Sequence, residues 1–141
     1  MFTLDPRLQA DTFTLGQFSL SRLLLMNDRT YPWLILVPQR AGIREIHELA
    51  VNDRRQLIEE SCHLAETLAA LYHPDKLNVA ALGNIVPQLH VHHVVRYRSD
   101  PAWPAPVWGK TPPVPYGPEE LAACRDRLTP LLAGFSPAAD G

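Results

Sequence analysis

The sequence predicts a single α+β domain in which an antiparallel sheet carries helices on one face. Short strand-like segments outnumber helical segments, and the connections between them are short enough to form hairpins. One long amphipathic helix supplies an apolar stripe that such a sheet can bury. The length of 141 residues fits one domain and is short for two.

Composition excludes several classes of partner. The 13 Lys and Arg residues nearly balance the 15 Asp and Glu residues. A chain without a basic excess is poorly suited to a phosphate backbone, so we expect no nucleic-acid partner. The apolar runs are too short to span a bilayer and no signal-peptide pattern is found, so we expect no membrane partner. The two cysteines are too few for a disulfide framework, and we expect a soluble, cytoplasmic protein.

Two strands separated by a polar turn open the core of the domain, which we place at about residues 18–98. The first strand is predicted at Phe18–Met26 and ends at the polar turn 27–30. The apolar run Trp33–Val37 is closed by Pro38, as is typical of a buried strand. This spacing predicts an antiparallel hairpin.

A long helix is predicted from about Asp53 to Tyr72, with Asn52 as its N-cap. Residues at helical spacing form an apolar stripe: Leu57, Ser61, Leu64, Leu68 and Leu71. A second row widens this stripe: Ile58, Cys62, Ala65, Ala69 and Tyr72. We expect both rows to lie in the core.

The remaining elements follow the long helix. Strands are predicted at Lys76–Leu82 and Leu89–Arg96, with a break at Gly83-Asn84. A last helix is predicted from about residue 118 to about residue 133. The tail Ser136–Gly141 is expected to fray.

A proline-rich strap, which we define as residues 99–118, joins the last strand to the last helix. It holds seven of the 14 prolines together with Trp103, Trp108 and Tyr116. We interpret it as an extended, polyproline-like segment laid across the domain, with a plain linker as the alternative. Its two tryptophans are predicted either to border a binding site or to anchor the strap by packing.

The predicted strand at Leu89–Arg96 and the residue before it carry an unusual set of histidines. Side chains on a strand alternate between its two faces. One face carries the even positions: Gln88, His90, His92, Val94 and Arg96. The other carries the odd positions: Leu89, Val91, His93 and Val95. The odd face is apolar apart from His93, so we expect it to pack on the long helix.

Three interpretations of His90 and His92 compete. The pair could lie on a solvated sheet face, although two imidazoles beside an amide are unusual there. It could bind zinc, since His-x-His on a strand is common ligand geometry, but no third ligand stands at a convincing spacing. It could also supply a nucleophile, with one neutral imidazole attacking phosphorus and the other contacting the phosphoryl oxygens.

The sequence here resembles the histidine triad (HIT) family, whose signature is His-x-His-x-His followed by two apolar residues. The chain has Gln88 at the position of the first histidine, and His90 and His92 at the next two. The resemblance covers about Leu20 to Arg96 through further segments: Asn27-Asp28, Trp33–Pro38, Ile46–Leu49, Asn78 and Gly83-Asn84. The stretch 102–108 looks like the C-terminal part of one bacterial branch of the family.

The resemblance implies a half-barrel α+β fold, a homodimer and a nucleotide substrate. It implies that His90 attacks the α-phosphorus and becomes nucleotidylated, while His92 contacts phosphate oxygens. Asn84, with Gly83 in the same loop, would contact phosphate or the leaving group. Asn27 or Asp28 would bind the ribose hydroxyls.

The implied activity is hydrolysis or transfer at the α-phosphate of a dinucleoside polyphosphate or a nucleoside phosphoramidate, and it requires no metal or cofactor. From the stiffness that Pro104 and Pro106 give the strap, we expect at least one of Trp103 and Trp108 to border this nucleotide site. The sequence departs from the family's pattern at two positions. Gln88 replaces the first histidine and offers only a neutral hydrogen bond, and Trp33 replaces a further histidine that many members carry. A nucleotide-binding sensor protein without turnover, a phosphorylase and a zinc protein remain alternatives.

Overall fold

The computed structural model describes residues 1–133, and the predicted fraying at Ser136–Gly141 lies outside this range. The elements follow one another in this order: α1 (Pro6–Asp11), β1 (Thr12–Gln17), β2 (Ser21–Met26), β3 (Trp33–Pro38), α2 (Val51–Tyr72), β4 (Lys76–Ala80), β5 (Val91–Arg96) and α3 (Pro118–Leu128). Short 3-10 turns lie at Ile46–Glu48 and Thr129–Leu131. Within residues 1–133, none of the helices has the length and apolarity needed to cross a membrane.

The strands form one antiparallel five-stranded sheet in the order β1-β2-β3-β5-β4. The predicted hairpin is present as β2 and β3, paired from Ser21 opposite Pro38 to Leu25 opposite Leu34. β5 lies between β3 and β4, and every residue of β5 is buried. The α+β class predicted from the sequence is confirmed.

One face of the sheet packs on α2 and the C-terminal helical turns. Leu57, Leu64 and Leu68 of α2 join Val91 and Val95 of β5 in a single apolar cluster. The alternation of side chains on β5 therefore holds, with the odd positions directed toward the long helix. The hydroxyl of Ser61 donates to Nε2 of His93 at 2.7 Å, which ties this polar side chain to the helix.

The opposite face of the sheet is covered as well. Leu4 and Leu8 from the N-terminal segment, and Ala102 and Val107 from the strap, pack on this face. The sheet residues that they cover are Leu24, Trp33, Ile35, Val37 and Val94. Burial on both faces explains why β3 consists almost entirely of apolar residues.

The N-terminal helix and strand were not predicted, since the domain core was placed from residue 18. Asp5 caps α1 by accepting a hydrogen bond from the backbone N–H of Arg7 at 2.8 Å. The chain then enters β1, which pairs with β2 and contains a register shift between Thr14 and Gly16. This bulge interrupts the alternation by which a strand is identified from sequence.

Two expectations about exposure and backbone shape were wrong. Ile58, Cys62 and Ala69 are exposed on α2, because the buried side of the helix is narrower than the apolar stripe in the sequence. The strap is not extended over its first part, where tight turns occupy most of residues 98–111. The carboxylate of Asp100 causes the first of these turns by accepting N–H bonds from Ala102 and Trp103.

Arg96 holds the strap to the sheet. Its guanidinium makes a two-point ion pair with Asp100, at 2.8 and 3.0 Å, and also donates to Asn78 and to the carbonyl of Ala105. Both partners of the ion pair are almost fully buried. Burial raises the pKa of Asp100, but the hydrogen bonds from Arg96 and the Tyr97 N–H outweigh this and leave the pKa below its ordinary value.

Removing the charge of Asp100 should be costly because it leaves the Arg96 guanidinium buried without a counter-ion. We expect Asp100→Asn to lower the free energy of unfolding by about 3–5 kcal/mol. Asp53→Asn is the matched control, since it breaks the more exposed pair with Arg40, and should cost about 1 kcal/mol or less. Urea denaturation of both variants measures the difference. Equal losses of unfolding free energy in the two variants would show that the buried ion pair of Arg96 and Asp100 stabilises the protein no more than the exposed pair does.

Candidate active site

The loop at residues 81–90 and the start of β5 place two histidines side by side. Gly83 has a φ of +82°, a left-handed conformation that glycine adopts without strain. His90 lies immediately before β5 and His92 lies within it, and their ring centroids are 4.8 Å apart. Both rings are directed to the face opposite α2, as the alternation predicts.

The hydrogen bond made by His90 fixes which of its nitrogens is free. Nδ1 lies 2.6 Å from the backbone carbonyl oxygen of Gln88. A carbonyl oxygen can only accept, so Nδ1 carries the hydrogen and the neutral ring keeps a lone pair on Nε2. His90 therefore has the protonation pattern of a nucleophile whose reactive atom is Nε2.

His92 has the opposite pattern because of Trp33. The indole N–H of Trp33 donates to Nδ1 of His92 at 3.0 Å. An indole nitrogen can only donate, so Nδ1 accepts and the hydrogen of the neutral ring is on Nε2. Trp33 therefore acts on the second imidazole of the pair and makes it a neutral hydrogen-bond donor.

Burial reinforces the neutral state of the buried histidines. Desolvation, followed by the electrostatic effects of His90 and His93, lowers the pKa of His92 from 6.5 to about 3. Desolvation also lowers the pKa of His93 to about 4, although its bond to the carbonyl of Val91 acts in the other direction. Both rings are therefore uncharged at neutral pH.

The paired histidines open into a cavity of about 390 Å³, which we call the histidine cavity. Its lining combines the predicted loop and strand residues with residues from the N-terminal helix: Arg7, Leu8, Asp11, Met26, Leu82, Gly83, Asn84, Ile85, Val86, His90, His92 and Trp108. The indole of Trp108 packs edge-on against His92, with centroids 5.1 Å apart. The structure thus brings together five of the predicted site residues: Gly83, Asn84, His90, His92 and Trp108.

A second cavity of about 410 Å³ adjoins the first, and we call it the strap cavity. Asp11, Met26 and Trp108 line both cavities. Asn27 and Asp28 line only the strap cavity, where each also binds the strap. Oδ1 of Asn27 accepts the backbone N–H of Tyr116, and Oδ1 of Asp28 accepts that of Val114.

Two predicted site residues have other contacts. The side-chain amide of Gln88 donates to the carbonyl of Thr3 and accepts the backbone N–H of Asp5, both at 2.9 Å. Gln88 is thus directed to the N-terminal segment rather than into the histidine cavity. Trp103 packs against the Arg96 guanidinium, with a distance of 5.6 Å to the ring centroid.

Sequence reasoning missed the contribution of the N-terminal helix to the cavity. The pair Asp5-Pro6 was the available signal, since Asp at the N-cap followed by Pro in the first helical position is a helix-start pattern. Among residues 1–133, no group of three or more His, Cys, Asp or Glu side chains is arranged to hold a metal ion.

Comparison with known proteins gives consistent matches. The family model described as HIT domain matches residues 7–99. A solved histidine triad protein from Marinobacter aquaeolei VT8 is 56% identical and has a TM-score of 0.94, covering 96% of this chain and 99% of its own. A histidine triad (HIT) protein from Sinorhizobium meliloti 1021 is 45% identical and has a TM-score of 0.90, with coverages of 94% and 98%.

A third structure, a histidine triad protein from Bradyrhizobium japonicum, is 42% identical, with a TM-score of 0.88 and coverages of 90% and 95%. The search of curated proteins gave no match.

The lowered pKa values of His92 and His93 predict loss of stability in acid. The unfolded chain binds more protons than the folded protein between pH 6.5 and about 3 to 4, so the free energy of unfolding should fall as the pH drops below 6.5. The slope should reach up to about 1.4 kcal/mol per pH unit for each ring. Urea denaturation across this range measures it.

The variant His93→Gln should show a shallower slope than the unaltered protein, whatever its absolute stability. His47→Gln, at an exposed position, controls for the loss of a histidine as such. An unchanged slope in His93→Gln would contradict the assignment.

Proposed function

The chain belongs to the HIT domain family, and on that premise we propose that it is a nucleotide hydrolase or transferase acting at the α-phosphate. The observation that carries this proposal is the pair of complementary imidazoles facing the histidine cavity. His90 offers a lone pair on Nε2, and His92 offers an N–H on Nε2. A nucleophile beside a neutral hydrogen-bond donor suits attack on a phosphoryl group.

In the proposed reaction, Nε2 of His90 attacks the α-phosphorus and forms a P–N bond. The bond from phosphorus to the leaving group breaks, and the leaving group departs with the electron pair. Water then attacks the same phosphorus, the P–N bond breaks, and the proton released from water passes to solvent. His92 contacts the phosphoryl oxygens in both steps. Holding nucleophile and phosphorus in line supplies much of the rate enhancement.

The remaining cavity residues are proposed to bind the substrate. Asn84 and the backbone at Gly83 contact phosphate or the leaving group, and Trp108 packs against the bound nucleotide. The nucleoside lies toward the strap cavity, where Nδ2 of Asn27 and Oδ2 of Asp28 have no hydrogen-bond partner within residues 1–133. These two atoms are available to ribose hydroxyls. Trp103 is assigned a packing role against Arg96.

One observation favours a nucleotide-binding sensor without turnover as the second candidate. The side chain at the first position of the triad, Gln88, is engaged by backbone groups of the N-terminal segment and is not free to assist catalysis. Phosphorolysis differs from hydrolysis only in the second step, where phosphate replaces water. We propose that the protein acts in the cytoplasm, whether it catalyses hydrolysis or phosphorolysis.

We also propose a homodimer, formed through the edge strand β4 and the neighbouring side of α2. β4 lies at the end of the sheet order, and Val79 is 51% exposed. Val79 of β4 lies opposite His93 of β5 in the sheet, and the His93 side chain is hydrogen-bonded to Ser61 of α2. Val79 therefore lies on the face of the sheet that carries α2. At 100° per residue, the exposed Ile58 and Cys62 lie on the Ser61 side of α2. Two copies related by a two-fold axis can pair such an edge with itself.

His90→Ala should abolish turnover while nucleotide binding stays within about tenfold, because the imidazole contributes mainly as bonds change at phosphorus. His92→Ala should weaken both binding and rate, because phosphate contacts exist before and during the reaction. Release of mononucleotide and isothermal calorimetry measure the two effects.

Mass spectrometry of quenched reactions should show a nucleotidyl adduct on the unaltered protein and none on His90→Ala. Turnover by His90→Ala equal to that of the unaltered protein would overturn the nucleophile assignment. Binding without turnover in the unaltered protein would favour the sensor. Nucleoside diphosphate that replaces the mononucleotide product only when inorganic phosphate is added would identify a phosphorylase.

Light scattering at micromolar concentration should give the mass of a dimer. Val79→Lys and Ile58→Asp should shift the measured mass toward that of a monomer, because each substitution puts a charge on the proposed interface. Ile46→Asp, at an exposed position in the 3-10 turn, is the matched control and should remain dimeric. A monomer mass for the unaltered protein would refute the dimer.

A further inference from the structure

We infer that the histidine cavity is built for phosphoanhydride substrates, and that Arg7 binds the phosphate or polyphosphate that departs. This inference rests on the proposed function and narrows it to nucleotides joined to a further phosphate. Nucleoside phosphoramidates, whose leaving group is an amine, are the class that it disfavours. Two independent features support it, one on the N-terminal helix and one at His92.

The first feature is the charge lining the cavity. Among the residues 1–133 that line it, Arg7 is the only Lys or Arg. Its guanidinium makes no hydrogen bond or ion pair with residues 1–133, and the residue is exposed toward solvent. Asp11, the one carboxylate that residues 1–133 contribute to the lining, lies where the two cavities meet, since it borders both. An unpaired guanidinium is a preferred partner for phosphate oxygens.

The position of Arg7 is fixed by contacts on both sides of it in sequence. Leu8, the next residue, is 4% exposed and packs in the apolar cluster under the strap. Asp5 caps the helix through the backbone N–H of Arg7. Gln88 in turn holds the backbone of Thr3 and Asp5 through its two amide hydrogen bonds. We call this arrangement the Gln88 clamp, and it presents Arg7 to the cavity that contains His90.

The second feature is the absence of an imidazolium beside the reacting phosphorus. When His90 attacks a phosphoramidate, the P–N bond to the amine breaks, and the amine needs a proton to depart as a neutral molecule. When it attacks an anhydride, a P–O bond breaks and the phosphate departs as an anion without a proton. The requirement for an acid therefore separates the two substrate classes.

His92 is poorly equipped to be that acid. Its Nδ1 accepts the indole hydrogen of Trp33, so protonation of Nδ1 would break this bond in a buried site. Its lowered pKa agrees with a ring that stays neutral. Loss of the remaining Nε2 hydrogen would leave an imidazolate anion. The side chain of Gln88 carries no titrating proton.

The test compares diadenosine tetraphosphate with adenosine phosphoramidate as substrates of the unaltered protein and of its variants. We expect the unaltered protein to have the higher kcat/KM on the tetraphosphate. Arg7→Ala should reduce the ratio of the two kcat/KM values about tenfold, which is about 1.4 kcal/mol of transition-state discrimination. Arg7→Lys should restore part of the ratio, since it keeps the charge but loses the planar donor fork.

Arg98→Ala is the matched control, because Arg98 is exposed and its side chain has no assigned role, and it should leave the ratio unchanged. Gln88→Ala should lower the ratio as Arg7→Ala does, because it releases the N-terminal segment. A higher kcat/KM on the phosphoramidate, or an equal effect of Arg7→Ala on both substrates, would overturn the inference.

A binding experiment separates this inference from the proposed function. If the unaltered protein turns over neither substrate, the proposed function fails, and inorganic tripolyphosphate then tests Arg7 directly by calorimetry. Binding that is about tenfold weaker in Arg7→Ala supports the anion site. Equal binding by both proteins, or no binding by the unaltered protein, refutes it.

Discussion

Every residue of β5 is buried, so each polar side chain on this strand must find its hydrogen-bond partner inside the protein. His93 is satisfied by Ser61, His92 by Trp33, and Arg96 by Asp100. These partners come from a helix, a neighbouring strand and the strap, and all three are therefore held to one interior strand of the sheet. The chemistry of the site follows from this requirement, because satisfying the buried imidazoles also selects their tautomers.

The candidate site lies on the sheet face opposite α2, at a place that the covering segments leave open. One face of the sheet packs on α2 and the C-terminal helical turns, whereas the other face is covered by two separate pieces, the N-terminal segment and the strap. The cavities lie beside Trp108 and Met26, and their walls come from both pieces. The cavities and the paired histidines thus share a face because two segments that are distant in sequence cover this side of the sheet only in part.

Local patterns in the sequence were sufficient to predict the hairpin, the long helix and the two faces of β5, since each depends on periodicity within one segment. The partners of Gln88 were not predictable, because Thr3 and Asp5 are distant in sequence and their backbone carries no side-chain signal. Proline content suggested an extended strap, but Asp100 forms turns there through backbone hydrogen bonds. The exposure of Ile58 and Cys62 shows that an apolar stripe in the sequence can be wider than the buried side of the helix.

The Gln88 clamp limits which residues can replace Gln88. A histidine at this position has one donor and one acceptor on a rigid ring and cannot reproduce the paired contacts that an amide makes with two backbone groups. Substitution of Gln88 by histidine would therefore release the first helix unless the residues before that helix changed as well. The identity of residue 88 and the sequence of the N-terminal segment are therefore energetically coupled, and a substitution at one should change the effect of a substitution at the other.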